Sequence, residues 1–175
     1  EETLEKYPKN MFRELDKTMP MNITLITSFT RADVTGCTYA RLRQTIIYIA
    51  VKDKTDLTLY HEIYHYMENY ITSRGASFAT WNRLNTRNYK YGNIDNTLSY
   101  STTGKDKSYF VNNYAQTSPA EDRASTFEYM MEEVIPSCLK KDTPIYYKAK
   151  YIAKSLEEFI NSVKKEKNRY WERFI

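Results

Sequence analysis

The stretch Asp56-Leu-Thr-Leu-Tyr-His61-Glu62-Ile-Tyr-His65-Tyr-Met-Glu-Asn-Tyr-Ile71 decides how this chain is read. Leu59, Ile63, Met67 and Tyr70 recur at helical spacing, and Leu57, Tyr60 and Tyr64 cover a second side. A helix apolar on most sides is a buried one, and Asp56 or Thr55 stands where it can cap the start. Polar groups inside such a helix need partners, yet this one carries His61, Glu62 and His65. Four residues advance a helix by about 400°, so the two imidazoles share one face, one turn apart. That spacing lets both rings reach one metal ion at about 2.0–2.1 Å. Glu62 sits one position on, within reach of a metal-bound water. The pattern His-Glu-x-x-His on a helix reads as a zinc site with two His ligands and an acid beside the bound water. The chain has only two His in 175 residues. Random placement would set them four apart, with Glu after the first, about once in a thousand such chains. One catalytic zinc ion is therefore the expected cofactor.

The third ligand is sought by elimination. Metzincins require Gly seven and His ten residues after the first His; here those positions hold Glu68 and Ile71. With no third His, the remaining protein ligand is a carboxylate or, less commonly, Cys or Tyr; two His, one Glu and a water form a known catalytic set. Ser118-Pro119-Ala120-Glu121 reads as a helix start, with Ser as cap and Pro in the first turn. That helix should run to about Val134, before Pro136. Its acidic residues are Glu121, Asp122, Glu128, Glu132 and Glu133, and Glu121, Ser125, Glu128 and Glu132 share one face. The residues favour Glu121, in the first turn, without settling the choice. The competing role for its carboxylate is a capping box with Ser118.

Elsewhere, residues 8–18 have a helical pattern with Met11, Phe12 and Leu15 on one side. Residues 22–29 and 44–51 are rich in β-branched residues and read as strands, with a shorter strand or a turn around Gly36 between them. Residues 73–113 are polar, aromatic and weakly periodic, with one short helix near 77–84; irregular segments of that length are often functional. A last helix covers roughly 144–165, with Ile145, Ala149, Ile152, Leu156 and Ile160 toward the core. The expected fold is a single α+β domain over residues 1–175. It has a small mixed sheet, an active-site helix at 56–72 and a mainly helical C-terminal half from 119.

The run Tyr114-Ala-Gln-Thr-Ser-Pro-Ala-Glu121-Asp-Arg-Ala124 resembles the third-ligand segment of gluzincin peptidases of the anthrax lethal factor and Pro-Pro endopeptidase type. In that family a Tyr precedes the ligand Glu by seven residues and an Ala follows it by three. Phe78-Ala-Thr-Trp81-Asn82-Arg-Leu-Asn85, with Tyr89-Lys-Tyr91-Gly92 after it, is similar to a family of bacterial zinc-binding metallopeptidases, often surface lipoproteins. The resemblance spans roughly residues 57–131. It implies a zincin fold and peptide hydrolysis. The ligands it implies are His61, His65 and Glu121, with Glu62 as general base and Tyr114 as oxyanion donor. It also implies an extracellular or cell-surface setting. The lethal-factor pattern has a second Glu four residues after the ligand; here that position is Ser125.

Bulk composition narrows the classes. Lys and Arg number 26 against 22 Asp and Glu, a net charge of +4. That weak field is far from the basic stripe of a nucleic-acid binder. The densest basic stretch, Lys164 to Arg169, reads as a solvated helix end. The longest apolar run, Ile46 to Val51, falls short of the roughly 20 residues that span a bilayer. Cys37 and Cys138 are compatible with one bridge or with two thiols. The chain starts Glu1-Glu2-Thr3 with no basic-then-apolar leader. It is read as a trimmed, mature form from which an export or anchoring segment has already gone. The expected partner is a peptide or protein substrate, met by a monomer. Strand 44–51, or a neighbour, is expected to pair with that substrate, unless it is wholly buried. Trp81, Tyr89, Tyr91 and Phe110 are subsite walls or plain packing. The rival reading is a non-catalytic, zinc-stabilised module that binds protein or glycan through its 17 Tyr.

Overall fold

The β-branched residues before position 51 form the sheet, and the longest helices follow it. The computed structural model describes residues 2–41, 44–52, 56–92, 109–166 and 170–175. Two short helices, α1 (Glu2–Glu5) and α2 (Met11–Asp16), precede strands β1 (Met21–Ile26), β2 (Gly36–Arg41) and β3 (Gln44–Ala50). The long helix α3 (Asp56–Ser73) follows, then α4 (Pro119–Met130), α5 (Pro144–Phe159) and α6 (Asn161–Lys165). Single 3-10 turns occupy Trp81–Leu84, Tyr114–Gln116, Ser137–Leu139 and Tyr170–Phe174. The expected α+β class, with a small mixed sheet and a helical second half, is what forms. Thr55, residues 93–108 with Tyr100, and residues 167–169 of the basic stretch lie outside the described residues.

Among the described residues the sheet has three strands in the order β1-β3-β2, with β1 parallel and β2 antiparallel to β3. Of the alternatives for 44–51, a free edge on this strand itself is ruled out, which leaves a neighbouring strand as the edge. β3 is paired on both sides, and its alternate residues Thr45, Ile47 and Ile49 are buried. The edge nearest α3 belongs to β2.

The core lies between the sheet and the later helices and is centred on α3. Ile63, Tyr64, Tyr66, Met67, Tyr70 and Ile71 of that helix have no exposed surface. Much of the Tyr excess goes into or against this core, as large apolar bodies with a polar tip. Tyr7, Tyr60, Tyr64, Tyr66 and Tyr70 are buried. Tyr66 donates to the Met19 carbonyl at 2.9 Å, whereas the buried Tyr7 hydroxyl has no hydrogen-bond partner among the described residues. Phe127, Trp171 and Phe174 close the core from α4 and the C-terminal turn.

Two helix ends differ from their sequence patterns, and in both a residue far along the chain is the cause. α4 stops at Met130 rather than near Val134, because the Arg173 guanidinium takes the carbonyls of Met130, Glu132 and Glu133. The expected helix 144–165 breaks at Ile160 into α5 and α6. Glu14 accepts hydrogen bonds from the backbone N–H groups of Asn161 and Ser162, at 2.9 and 2.7 Å, and so caps a new start. Among the described residues no helix is long and apolar enough to cross a membrane. Cys37 and Cys138 are free thiols.

Candidate metal centre

Helix geometry alone brings His61 and His65 together. Their Nε2 atoms are 3.2 Å apart. The third group comes from α4. Ser118 caps that helix by accepting from the Glu121 N–H at 3.2 Å. Only that half of the capping box forms, because the Glu121 carboxylate turns instead to the histidines. Its Oε2 lies 2.8 Å from His61 Nε2 and 3.4 Å from His65 Nε2. Ligand atoms bound tetrahedrally at about 2.0–2.1 Å sit roughly 3.3 Å from one another. Two of the three separations match that spacing and the 2.8 Å one is about 0.5 Å shorter, so the donor set fits a zinc ion with a small outward shift of the carboxylate. Among the described residues this trio is also the group that converges as a metal site.

Why Glu121 faces inward is decided by its neighbour. Asp122, about 100° further round the helix, is fully buried and points elsewhere. Its Oδ2 accepts from Trp81 Nε1 at 2.9 Å, Tyr91 Oη at 2.6 Å and Lys148 Nζ at 2.7 Å. Asp122 is thereby removed from the list of ligands. Glu132 and Glu133 lie beyond the end of α4, and Glu133 meets Lys6 and Tyr170 instead.

Glu128 takes a different role from a ligand. Its Oε2 lies 2.9 Å from His61 Nδ1, and its Oε1 accepts from Asn112 Nδ2 at 3.3 Å. A carboxylate on the far nitrogen fixes a metal-binding imidazole and raises its basicity. Ser125, where the lethal-factor pattern has Glu, is buried, and its hydroxyl has no hydrogen-bond partner among the described residues. Seven residues after Glu121, two turns on the same face, Glu128 supplies a carboxylate that the shorter spacing does not. Its spacing puts it on the face of Glu121; its contact with Nδ1 rather than Nε2 comes from how α4 crosses α3. Asn112 Oδ1 also accepts from the Ala115 N–H at 2.8 Å, tying this network to the turn that carries Tyr114. Changing Glu128 to Ala should weaken zinc binding about 10–100-fold. A chelator competition that finds unchanged affinity would remove it from the centre.

Charge in the metal-free protein follows from these contacts. Burial alone would lower the His61 pKa, but its bonds to Glu121 and Glu128 overcome that and push it up to about 10. Burial would raise Glu121, and its two histidine partners hold it well below the usual carboxylate range. Burial keeps Glu128 above its ordinary value despite His61. A proton on Nε2 thus occupies the place a cation would take. Below pH 10 zinc must displace that proton, so its affinity should rise with pH up to about 10. Calorimetry at pH 7 in buffers of different ionisation enthalpy should find about one proton released per zinc from this site; none released would contradict the assigned protonation.

Tyr114 is half-exposed, and its ring centroid is 5.8 Å from that of His61. Burial, then the charges of Glu121 and Glu62, raise its pKa, so the phenol stays an O–H donor. Glu62 is buried and reaches strand β2, where Thr38 donates to its Oε2 at 2.6 Å. A cleft of about 430 Å³ opens over His61, Glu62 and Tyr114 and continues past Thr35, Leu57 and Arg31. Trp81, Tyr89, Tyr91 and Phe110 do not line it. Trp81 and Tyr91 hold Asp122, and Tyr89 and Phe110 stack at 4.8 Å, so their role is packing. A larger hollow of about 600 Å³ between α2 and α6 lies away from this centre, and Glu14 there is already committed to α6. No protein-family model matches the chain, and no curated protein or solved structure matches it either.

Proposed function

We propose that this chain is a zinc-dependent endopeptidase of the gluzincin type, with His61, His65 and Glu121 as ligands. The observation that carries the reading is the convergence of two Nε2 atoms and one carboxylate oxygen within 3.4 Å of one another, beside a buried Glu62. A bound zinc ion supplies Lewis acidity and lowers the pKa of its water to about 7. Glu62 accepts the proton of the attacking water and returns it to the leaving nitrogen. Tyr114 donates a hydrogen bond to the oxyanion as the carbonyl is attacked. Replacing Tyr114 by Phe should cost about 10²–10³ in turnover with little change in substrate affinity. Steady-state kinetics showing a loss under threefold would make it a packing residue.

Substrate is held in extended form along β2. The Ala50 N–H donates to the Thr35 carbonyl at 2.9 Å. Alternation along the ladder then directs the backbone groups of Thr35, Cys37, Tyr39 and Arg41 toward β3. Those of Gly36, Thr38 and Ala40 face the other way, to an edge that no described strand occupies. An extended peptide adds there as a fourth strand. An exported or cell-surface setting, with membership of the bacterial metallopeptidase family, belongs to the same proposal and rests on the sequence resemblance.

The test is metal analysis of purified protein joined to cleavage of a broad peptide library, with Glu62→Gln as control. One zinc per chain and internal cleavage that the variant loses are the expected results. Stoichiometric zinc with no cleavage would instead favour a zinc-stabilised binding module.

A further inference from the structure

We infer that strand β2 is the bracket that holds the general base: Thr38 by its hydroxyl, and Gly36 by having no side chain, set the position of the Glu62 carboxylate. The inference rests on the metallopeptidase reading and assigns two residues to it that the His-Glu-x-x-His motif does not contain.

The observations lie on one face of one strand. Gly36 and Thr38 are two apart, so both look toward α3. Thr38 Oγ1 lies 2.6 Å from Glu62 Oε2 and 2.9 Å from the Glu62 carbonyl. A hydroxyl has one proton to donate; the shorter contact, to the charged acceptor, has the length of a charge-assisted bond. At Gly36 a Cβ would stand 2.8 Å from Glu62 Oε1, 2.9 Å from Glu62 Cγ and 2.8 Å from Thr58 Cγ2. Among the described residues the positive-φ glycines are Gly75 and Gly92, and Gly36 is not one of them. Its backbone accepts any residue, so the glycine there provides space rather than conformational freedom. One carboxylate oxygen is held by a bond and the other side of the group is bounded by bare backbone.

Such a bracket has a mechanical purpose. The terminal torsion of a Glu side chain is broad and poorly self-ordering. Thr is stiff at its own first torsion, and β2 is fixed by its ladder to β3. The same strand would seat the substrate and orient the base, so both refer to one rigid element, as productive alignment requires.

The test uses full-length protein loaded with zinc, and acetohydroxamic acid as a probe that needs no knowledge of the natural substrate. Zinc affinity is measured by chelator competition, probe affinity by calorimetry, and kcat and KM on a peptide taken from the library. Thr38→Val removes the hydroxyl at nearly constant volume. It should leave zinc affinity unchanged, weaken the probe and lower kcat about ten- to a hundredfold, the worth of one bond to a charged group, and leave KM in place. Thr38→Ser should restore most of both. Gly36→Ala should act in the same direction as Thr38→Val, again without loss of zinc. In a Glu62→Ala background, which removes the group that the Thr38 hydroxyl holds, Thr38→Val should have no further effect on the probe, since it acts through Glu62. Equal losses with and without Glu62, no loss in either, or a parallel fall in zinc affinity would overturn the bracket. Zinc and probe binding without any cleavage would sink the endopeptidase reading, while the cycle still decides the bracket. A chain that binds no zinc would overturn both.

Discussion

Glu62→Gln should lower peptide turnover by about 10²–10⁴-fold while the protein keeps one zinc per chain. The side chains are nearly the same size, and the amide still has an oxygen for the Thr38 hydroxyl, so the cleft keeps its shape. What disappears is the acceptor for the water proton. Neither histidine can substitute, because both Nε2 atoms lie in the ligand trio. Glu121 is committed to them, and Glu128 is engaged with His61 and Asn112. The measurement is kcat/KM on a library-derived peptide, with zinc content on the same sample. Full activity at unchanged zinc would sink the general-base role. Reduced activity with lost zinc would show that the substitution had disturbed the ligands.

Lys148→Met should destabilise the fold by about 3–5 kcal/mol, the usual cost of removing one partner from a buried ion pair. Lys148 and Asp122 have no exposed side-chain surface, and their contact is 2.7 Å. Burial moves each toward its neutral form: it lowers Lys148 to about 8, and raises Asp122, despite the attraction between them. Trp81 and Tyr91 also donate to Asp122 Oδ2, and its Oδ1 has no hydrogen-bond partner among the described residues. Removing Lys148 leaves this carboxylate buried without its cation. Urea denaturation gives the loss directly. Adding Asp122→Asn should recover part of it, because the stranded charge is then gone. A loss below about 1 kcal/mol would mean that Lys148 and Asp122 are both neutral, not an ion pair, in the folded state. Because Asp122 is next to Glu121, the variant should also weaken zinc binding, as the first turn of α4 loosens.

Much of the fold was legible because the deciding patterns are local. α3 could be read from the period of its apolar residues, and β3 from a run of β-branched ones. The start of α4 followed from Ser118 and Pro119. The break at Ile160 could not be read, since its cause, Glu14, is nearly 150 positions away in sequence. The same holds for α4, whose last carbonyls are taken by Arg173. The central place of β3 was equally hidden. An apolar run fits an edge or a centre until the pairing on both sides is known.

The site divides in the same way. His61, Glu62 and His65 are placed by one turn of one helix, so their relation was set before any folding of the rest. For Glu121, spacing allowed several acids, and resemblance to known peptidases, rather than periodicity, singled it out. Asp122 was an equal candidate on charge and is excluded by Lys148, Trp81 and Tyr91. Glu128 was on the right face, but which imidazole nitrogen it meets depends on how α4 crosses α3.

By itself, then, the sequence determined the class of fold, the helix that carries the candidate metal site and the two histidines with the acid between them. All of these are consequences of short-range geometry, repeated every few residues. Only the tertiary structure decided that Glu121 reaches the histidines while Asp122 does not, that Glu128 stands behind His61, and that β2 rather than β3 presents the edge with Gly36 and Thr38 against Glu62. Those facts depend on the angle and depth at which separate elements pack, and burial and ion pairing between distant residues set both.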